Sequence, residues 1–194
     1  MRVLIIPEDF RKDQYIVKPI IEAMMAWLER PRTSVQVLTD PNLGGVERAL
    51  NWAELEPIVR RYQGMVDLFL LCVDRDNNEH RRSRLDHIEV QAASVLGAGR
   101  LFLAENAWQE LEVWALAGNE RPTEWAWQDI RNHRDPKEAY FAPLASRRGL
   151  SDGPGEGRRA LGIEAGRNYR AVRHLCQEDV QQLEQRIAAH LQMT

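Results

Sequence analysis

Leu68-Phe-Leu-Leu-Cys-Val-Asp74-Arg-Asp76 is the stretch of the sequence from which the fold can be read. Its run of six apolar residues, rich in branched and aromatic side chains, is typical of a strand buried on both faces of a parallel sheet. Two carboxylates, Asp74 and Asp76, follow the run, and an extended backbone would direct both to the same side. Open α/β sheets bind their ligands at this edge, beyond the carboxyl ends of the strands.

The acid pair has two interpretations, and the sequence does not decide between them. Two carboxylates in one partly buried place raise each other's pKa unless a cation shares the site, and Mg²⁺ is a cation that prefers oxygen ligands of this kind. The other reading is structural, because Asp-x-Asp at the end of a strand is also common turn and helix-capping chemistry.

Short apolar stretches alternate with amphipathic segments on both sides of this strand. The predicted strands are Val3–Ile6, Ser34–Leu38, the stretch from Leu68, and Arg100–Ala104. The predicted helices are one capped by Asp13 that runs through Trp27, then residues 52–62, 85–96 and 109–117. This alternation predicts an α/β, Rossmann-like fold with about four mainly parallel strands flanked by helices. In the flavodoxin-like strand order 2-1-3-4, Glu8 after the first strand would face Asp74 and Asp76.

The pattern changes after residue 118. Residues 136–144, 163–175 and 178–191 are predicted helices, and a Gly-rich stretch lies between residues 149 and 162. We therefore expect an α/β domain over residues 1–118 and a C-terminal helical extension over residues 119–194, packed on it.

Charge is unevenly distributed, with a net charge of -3 for the chain but seven Arg against three acidic residues between positions 145 and 174. Such a basic region can contact a nucleic-acid backbone, or it can be an ordinary solvated helical surface. Trp125 and Trp127 can likewise stack on bases or pack between the extension and the sheet.

Several classes of site are not predicted. Cys72 and Cys176 form no disulfide framework or CxxC motif, and the five His show no zinc-ligand spacing. No glycine-rich nucleotide-binding loop follows a predicted strand. The apolar run at the amino terminus is too short for a signal peptide, and no segment is long enough to span a membrane. We expect a protein of the cytoplasm with no membrane partner.

An acid after the first strand, Asp-x-Asp after the third and further acids near the fourth together resemble the TOPRIM domain of topoisomerases, primases and overcoming-lysogenization-defect nucleases. The residues that carry this resemblance are Glu8, Asp74, Asp76, Glu110 and Glu112. The segment from Ala104 to Ala117 also looks like the Glu-x-Glu/Trp-Leu-Leu-Ala signature of small stand-alone TOPRIM-like proteins, and Tyr169 with the helices after it looks similar too. The sequence departs from the family pattern because no Gly closely follows Glu8, where Asp9-Phe-Arg-Lys12 stands instead.

The resemblance implies hydrolysis of phosphodiester bonds with Mg²⁺ or Mn²⁺, by a nuclease or phosphoesterase. In that case Asp74 and Asp76 would hold the metal, and Glu8 would ligate it or act as general acid or base. Glu110 and Glu112 are further candidate ligands, although on a helix they would not share one face. The family also suggests an effector of a bacterial defence or toxin system that works with a partner ATPase. The altered loop after Glu8 favours an alternative, a catalytically inactive binding module that partners an ATPase.

Cationic residues near the acids are candidate substrate-binding groups. They are Lys12, which follows the first acid, and Arg81, Arg82 and Arg84, which follow His80 after the acid pair. They can hold a substrate phosphate near the metal. The alternative interpretation is that these cations are solvated loop and helix-capping residues.

Overall fold

The computed structural model describes residues 1–193, and its centre is a four-stranded parallel sheet in the order β2-β1-β3-β4. The strands are β1 (Arg2–Pro7), β2 (Ser34–Val37), β3 (Leu68–Asp74) and β4 (Leu101–Ala107). Val3 of β1 pairs with Leu68 of β3, and Leu68 pairs in turn with Leu101 of β4. This confirms the predicted α/β, Rossmann-like fold.

Strand β3 is buried along almost its whole length because both faces of the sheet are covered. Its side chains alternate between two hydrophobic cores. Leu68, Leu70 and Cys72 belong to one core, and Phe69, Leu71 and Val73 belong to the other. The continuous apolar run in the sequence is thus explained by burial on two faces.

Five helices belong to the first part of the chain. They are α1 (Phe10–Trp27), α2 (Val46–Ala49), α3 (Trp52–Tyr62), α4 (Arg81–Val95) and α5 (Glu112–Gly118). Helices α3 and α4 contribute Leu55, Ile58, Leu85 and Ile88 to the core that contains Phe69. Helices α1 and α5 cover the opposite face.

The later helices complete the core on the α1 side of the sheet. They are α6 (Trp127–Asn132), α7 (Ala142–Arg147), α8 (Arg158–Arg167), α9 (Tyr169–Leu175) and α10 (Gln182–Met193), with π-helical turns at Lys137–Phe141 and Gln177–Gln181. Helix α8 lies so close to α1 that a Cβ atom on Gly162 would be 2.0 Å from the carbonyl oxygen of Tyr15. Leu161 and Val172 share their core with β1 and β3, so the extension packs on the sheet.

Local details differ from the sequence-based expectations in several places, including helix α4, which begins at Arg81 instead of residue 85, and the predicted helix 163–175, which is divided between α8 and α9. Asp9 rather than Asp13 caps α1, because its carboxylate accepts the Arg11 N–H, whereas Asp13 accepts the Asp9 N–H at 2.8 Å. Strand β4 continues beyond Ala104 to Ala107. Helix α5 begins at Glu112 instead of residue 109.

The two tryptophans after residue 118 take part in packing. The ring of Trp125 meets Tyr140 edge to face at 5.2 Å, and Trp127 Nε1 donates to the Leu175 carbonyl at 3.2 Å. Within residues 1–193, none of the helices has both the length and the apolar character to cross a membrane.

Candidate functional site

Glu8 and Asp74 lie at the carboxyl edge of the sheet, where neighbouring strands β1 and β3 end. Pro7, the last residue of β1, pairs with Cys72, so Glu8 continues alongside the end of β3. Asp74 Oδ1 accepts the Leu111 N–H at 2.8 Å. Glu8 Oε2 is buried and accepts no hydrogen bond within residues 1–193. An acceptor oxygen without a partner is costly to bury, so this atom is a candidate for contact with a water, an ion or a ligand.

Two more carboxylates join these residues in what we term the acidic cluster, defined as Glu8, Asp13, Asp74 and Glu112. Burial raises the pKa of Asp74 well above its ordinary value, and the negative charges of Glu112, Asp13 and Glu8 add to the effect. Burial also raises the pKa of Asp13 to about 7, again with contributions from Glu112 and Glu8. The cluster is therefore a set of carboxyl groups that repel one another in a poorly solvated place.

The pKa of Glu8 is raised as well, first by burial and then by the charge of Asp76. The guanidinium of Arg81 and the backbone amides of Asp74 and Val46 act in the opposite direction. Glu8 therefore interacts both with the other carboxylates of the acidic cluster and with a nearby cation, Arg81.

Glu112 is buried and paired with Arg158 of helix α8, which is equally buried. Arg158 Nε donates to Glu112 Oε1 at 2.9 Å, and its Nη1 donates to the Gly155 carbonyl at 2.8 Å and to Glu156 at 3.0 Å. The pair partly neutralises the cluster and joins the Gly-rich loop to the carboxyl edge. Sequence reasoning missed both Asp13 and Arg158 as members of this site.

Asp76 does not lie beside Asp74 on an extended strand, contrary to expectation. Strand β3 ends at Asp74, and Asp76 and Asn77 both have left-handed backbone conformations, with φ of 50° and 55°. Asp76 is therefore half-exposed, and its Oδ2 accepts from Arg81 Nη2 at 3.1 Å. Gln109, opposite this turn, also has a positive φ of 69°, and its carbonyl accepts the Asp76 N–H at 3.1 Å. Backbone strain of this kind concentrates at functional sites.

Arg81 is the cation next to Glu8, and its side chain is only 3% exposed. Nη2 is paired with Asp76, but Nε and Nη1 are buried with no hydrogen-bond partner in the described part of the chain. A buried guanidinium with unused donors favours an anionic partner such as a phosphoryl or carboxylate oxygen. Of the four predicted substrate-binding residues, Arg81 is the one that lies beside Glu8 and Asp76.

Arg82 belongs to a different network, on the outer side of β4. It donates to the Ala104 carbonyl at 2.8 Å and to Glu89 at 3.1 Å, and it also pairs with the buried Glu105. Arg186 of α10 contacts the same two carboxylates. Burial raises the pKa of Glu105 to about 7, although the two arginines oppose this shift. We interpret the network as structural support for a buried carboxylate in the sheet.

The other predicted cations are occupied by surface carboxylates. Arg84 forms a bidentate contact with Glu47 at 3.0 and 3.1 Å, and Lys12 Nζ lies 3.1 Å from Glu156 in the Gly-rich loop. Both are exposed pairs, whose contribution to stability is small and which open at little cost.

Glu110 and Glu112 differ in their surroundings because Glu110 precedes helix α5 and Glu112 is its first residue. Glu110 Oε2 accepts the Lys137 N–H at 2.7 Å, and burial raises the pKa of Glu110 to about 7. Glu112 faces Arg158 instead. The two residues are therefore not a matched pair of ligands.

Within residues 1–193, no three His, Cys, Asp or Glu side chains are arranged so that they could hold a metal ion together. Mg²⁺ is commonly bound through only one or two carboxylates, with water and substrate phosphate as its other ligands. Glu8 and Asp74 are the two carboxylates whose position at adjacent strand ends suits that mode.

No family model, curated protein or solved structure matches the sequence. The resemblance to the TOPRIM family therefore remains a prediction.

Proposed function

We propose that the protein is a TOPRIM-like nuclease or phosphoesterase that hydrolyses phosphodiester bonds with Mg²⁺ or Mn²⁺ at the carboxyl edge of its sheet. The observation that carries the proposal is the position of Glu8 and Asp74, both of raised pKa, at the ends of adjacent parallel strands and within the acidic cluster. A divalent cation at this place would relieve the charge repulsion that adds to burial in raising these pKa values.

The residues present fit such a cation. Glu8 supplies a buried oxygen without a partner, and Asp74 supplies a carboxylate with only one oxygen engaged by a backbone N–H. Both are hard oxygen ligands of the kind that Mg²⁺ and Mn²⁺ take. When bound, the cation would polarise a phosphoryl oxygen and lower the pKa of a coordinated water.

The chain's own groups supply the remaining functions. Arg81 can donate from Nε and Nη1 to a phosphoryl oxygen, while Asp76 holds the guanidinium in place through Nη2. Asp13, with a pKa of about 7, can take up or release a proton near neutral pH. The Arg158–Glu112 pair fixes helix α8 and the Gly-rich loop against the cluster.

A second candidate is a catalytically inactive module that binds a partner, for which the family resemblance suggests an ATPase. Two ion pairs favour this candidate, because Arg81 and Arg158 already neutralise Asp76 and Glu112. A site compensated by arginines has less need of a divalent cation. The role in a defence or toxin system is a proposal in either case.

A cleavage assay separates the two candidates. Purified protein is incubated with supercoiled plasmid and, separately, with RNA, in the presence of Mg²⁺, Mn²⁺ or a chelator. Asp74→Asn is the test variant because an amide oxygen can still accept the Leu111 N–H. Asp129→Asn, an exposed position on α6, is the matched control for loss of one negative charge.

Metal-dependent cleavage by the wild type and the control, with loss of cleavage in folded Asp74→Asn, is the expected result. Cleavage that persists in Asp74→Asn would show that the active site lies elsewhere in the protein. Complete absence of metal-dependent cleavage in the wild type would favour the partner-binding module.

A further inference from the structure

A second candidate site lies at the other end of helix α1, where the last turn of α1, the end of α5 and the segment that joins α8 to α9 enclose a cleft of about 980 Å³. This volume is in the range of pockets that hold a small ligand. Helix α1 has 18 residues and is therefore about 27 Å long, with its first residue near the acidic cluster and its last at the cleft. The cleft is thus separate from the carboxyl edge of the sheet.

Trp27 forms an aromatic wall of the cleft. It ends α1 and is 50% exposed, whereas the other aromatic side chains of the described residues are buried or half-buried. Tyr169 packs against the indole with ring centroids 6.2 Å apart, and the Arg173 guanidinium lies 5.7 Å from its ring. The indole is held in position by these neighbours while half of its surface stays open. An arrangement of this kind can stack on a planar group.

The remaining polar lining is strongly basic, in contrast to the net charge of -3 of the whole chain. Arg167 and Arg170 are exposed and have no hydrogen-bond or ion-pair partner in the described residues, whereas most other arginines of this part of the chain are paired with carboxylates. His174 lies one helical turn after Arg170 on α9, and Glu120 is the one acidic residue among those that line the cleft. The cleft therefore combines unpaired positive charge with an aromatic plane.

We propose that this cleft binds a nucleoside phosphate, with the base stacked on Trp27 and the phosphate held by Arg167 and Arg170. A ligand that is both anionic and planar satisfies both features, whereas a simple anion would leave the indole unused. The same chemistry is offered by a free nucleotide and by one unit of a single-stranded nucleic acid. The inference does not rest on the proposed hydrolysis, because the cleft holds none of the acidic-cluster residues.

Binding is measured in chelator, so that cleavage at the acidic cluster does not interfere. A fluorescein-labelled oligothymidylate is titrated with the full chain by fluorescence anisotropy, and ATP and AMP are titrated separately by calorimetry. The variants are Trp27→Ala and the double variant Arg167→Glu/Arg170→Glu. Arg159→Glu reverses one exposed charge on α8 outside the cleft and is the control.

Trp27→Ala is expected to weaken binding roughly five- to a hundredfold, the range for loss of one base–aromatic stack. The double arginine variant should also weaken binding and reduce its salt dependence, while Arg159→Glu should bind as the wild type does. Binding of ATP or AMP but not of the strand would identify the free nucleotide as ligand, and the reverse would identify the strand.

Three results would overturn the inference. The first is no binding of any of these probes, and the second is binding that Trp27→Ala and the arginine variant leave unchanged. The third is equal binding of polyglutamate, which has charge but no rings and would indicate a general anion surface. Nucleotide binding at the cleft together with no nuclease activity would refute only the proposed function. Nuclease activity together with no nucleotide binding at the cleft would refute only this inference.

Discussion

Asp13→Asn should stabilise the folded protein at neutral and alkaline pH. Burial and the neighbouring carboxylates raise the pKa of Asp13 from 3.8 to about 7, so the ionised group is unfavourable in the folded state. At about 1.4 kcal/mol per pH unit this corresponds to a ceiling of about 4 kcal/mol. Because Asp13 is partly exposed and its neighbours can relax, we expect a gain of about 2 kcal/mol. The asparagine amide oxygen can still accept the Asp9 N–H.

The sign follows from proton linkage. Below pH 4 the carboxyl is protonated in both states, so the substitution changes the free energy of unfolding little. Between pH 4 and pH 7 the unfolded chain loses this proton while the folded chain retains it, and the wild type loses stability as pH rises. Above pH 7 both states are ionised, and the advantage of Asp13→Asn reaches its full value.

Urea denaturation of the wild type and Asp13→Asn from pH 4 to pH 9 measures this difference directly. Asp129→Asn controls for the loss of one exposed charge. An advantage of Asp13→Asn that does not grow between pH 4 and pH 7, or an Asp13→Asn protein that is less stable than the wild type at pH 8, would show that ionised Asp13 does not destabilise the folded state.

Two further predictions concern the packing around the acidic cluster. Glu112→Ala should lower the free energy of unfolding by about 3–5 kcal/mol, because it leaves Arg158 buried without its partner. The double variant Glu112→Leu/Arg158→Met removes both charges, and its denaturation should show that most of the lost stability is regained. A mere surface role for the pair would give a loss below about 1 kcal/mol. Gly162→Ala should cost about 1–3 kcal/mol in thermal or urea unfolding, since its Cβ would lie 2.0 Å from the Tyr15 carbonyl oxygen. Gly64→Ala, with nothing within 4 Å, is the control, and equal stabilities of the two variants would contradict the packing argument.

The sheet could be predicted because buried parallel strands leave a direct trace in the sequence. Runs such as Leu68 to Val73 are apolar at every position, and their alternation with amphipathic segments limits the topology to a few choices. The extent of β4 was not predictable in this way, since Glu105 and Asn106 look like the end of a strand. They remain in the sheet because β3 continues to pair with them and because Arg82 and Arg186 compensate Glu105.

The candidate site was predicted in part. Glu8 and Asp74 follow from strand ends and strand order alone, whereas the direction of Asp76 depends on a left-handed backbone that the residue type does not reveal. Asp13 carries the sequence signal of a helix cap, whereas its proximity to the cluster arises only from the packing of α1 and has no such signal. The partner of Glu112, Arg158, is distant in sequence and has no local signal.

Titration of the wild-type protein with Mg²⁺ and Mn²⁺ in a calorimeter, beside Asp74→Asn, tests the central claim most directly. We expect saturable binding by the wild type. Near pH 6.5 this binding should release protons, because carboxyl groups of raised pKa must ionise when a cation binds. The proton release appears as a heat of binding that depends on the buffer. Asp74→Asn should bind far more weakly. A wild type that binds neither ion, or an Asp74→Asn protein that binds equally well, would contradict the assignment of the carboxyl edge as a divalent-cation site.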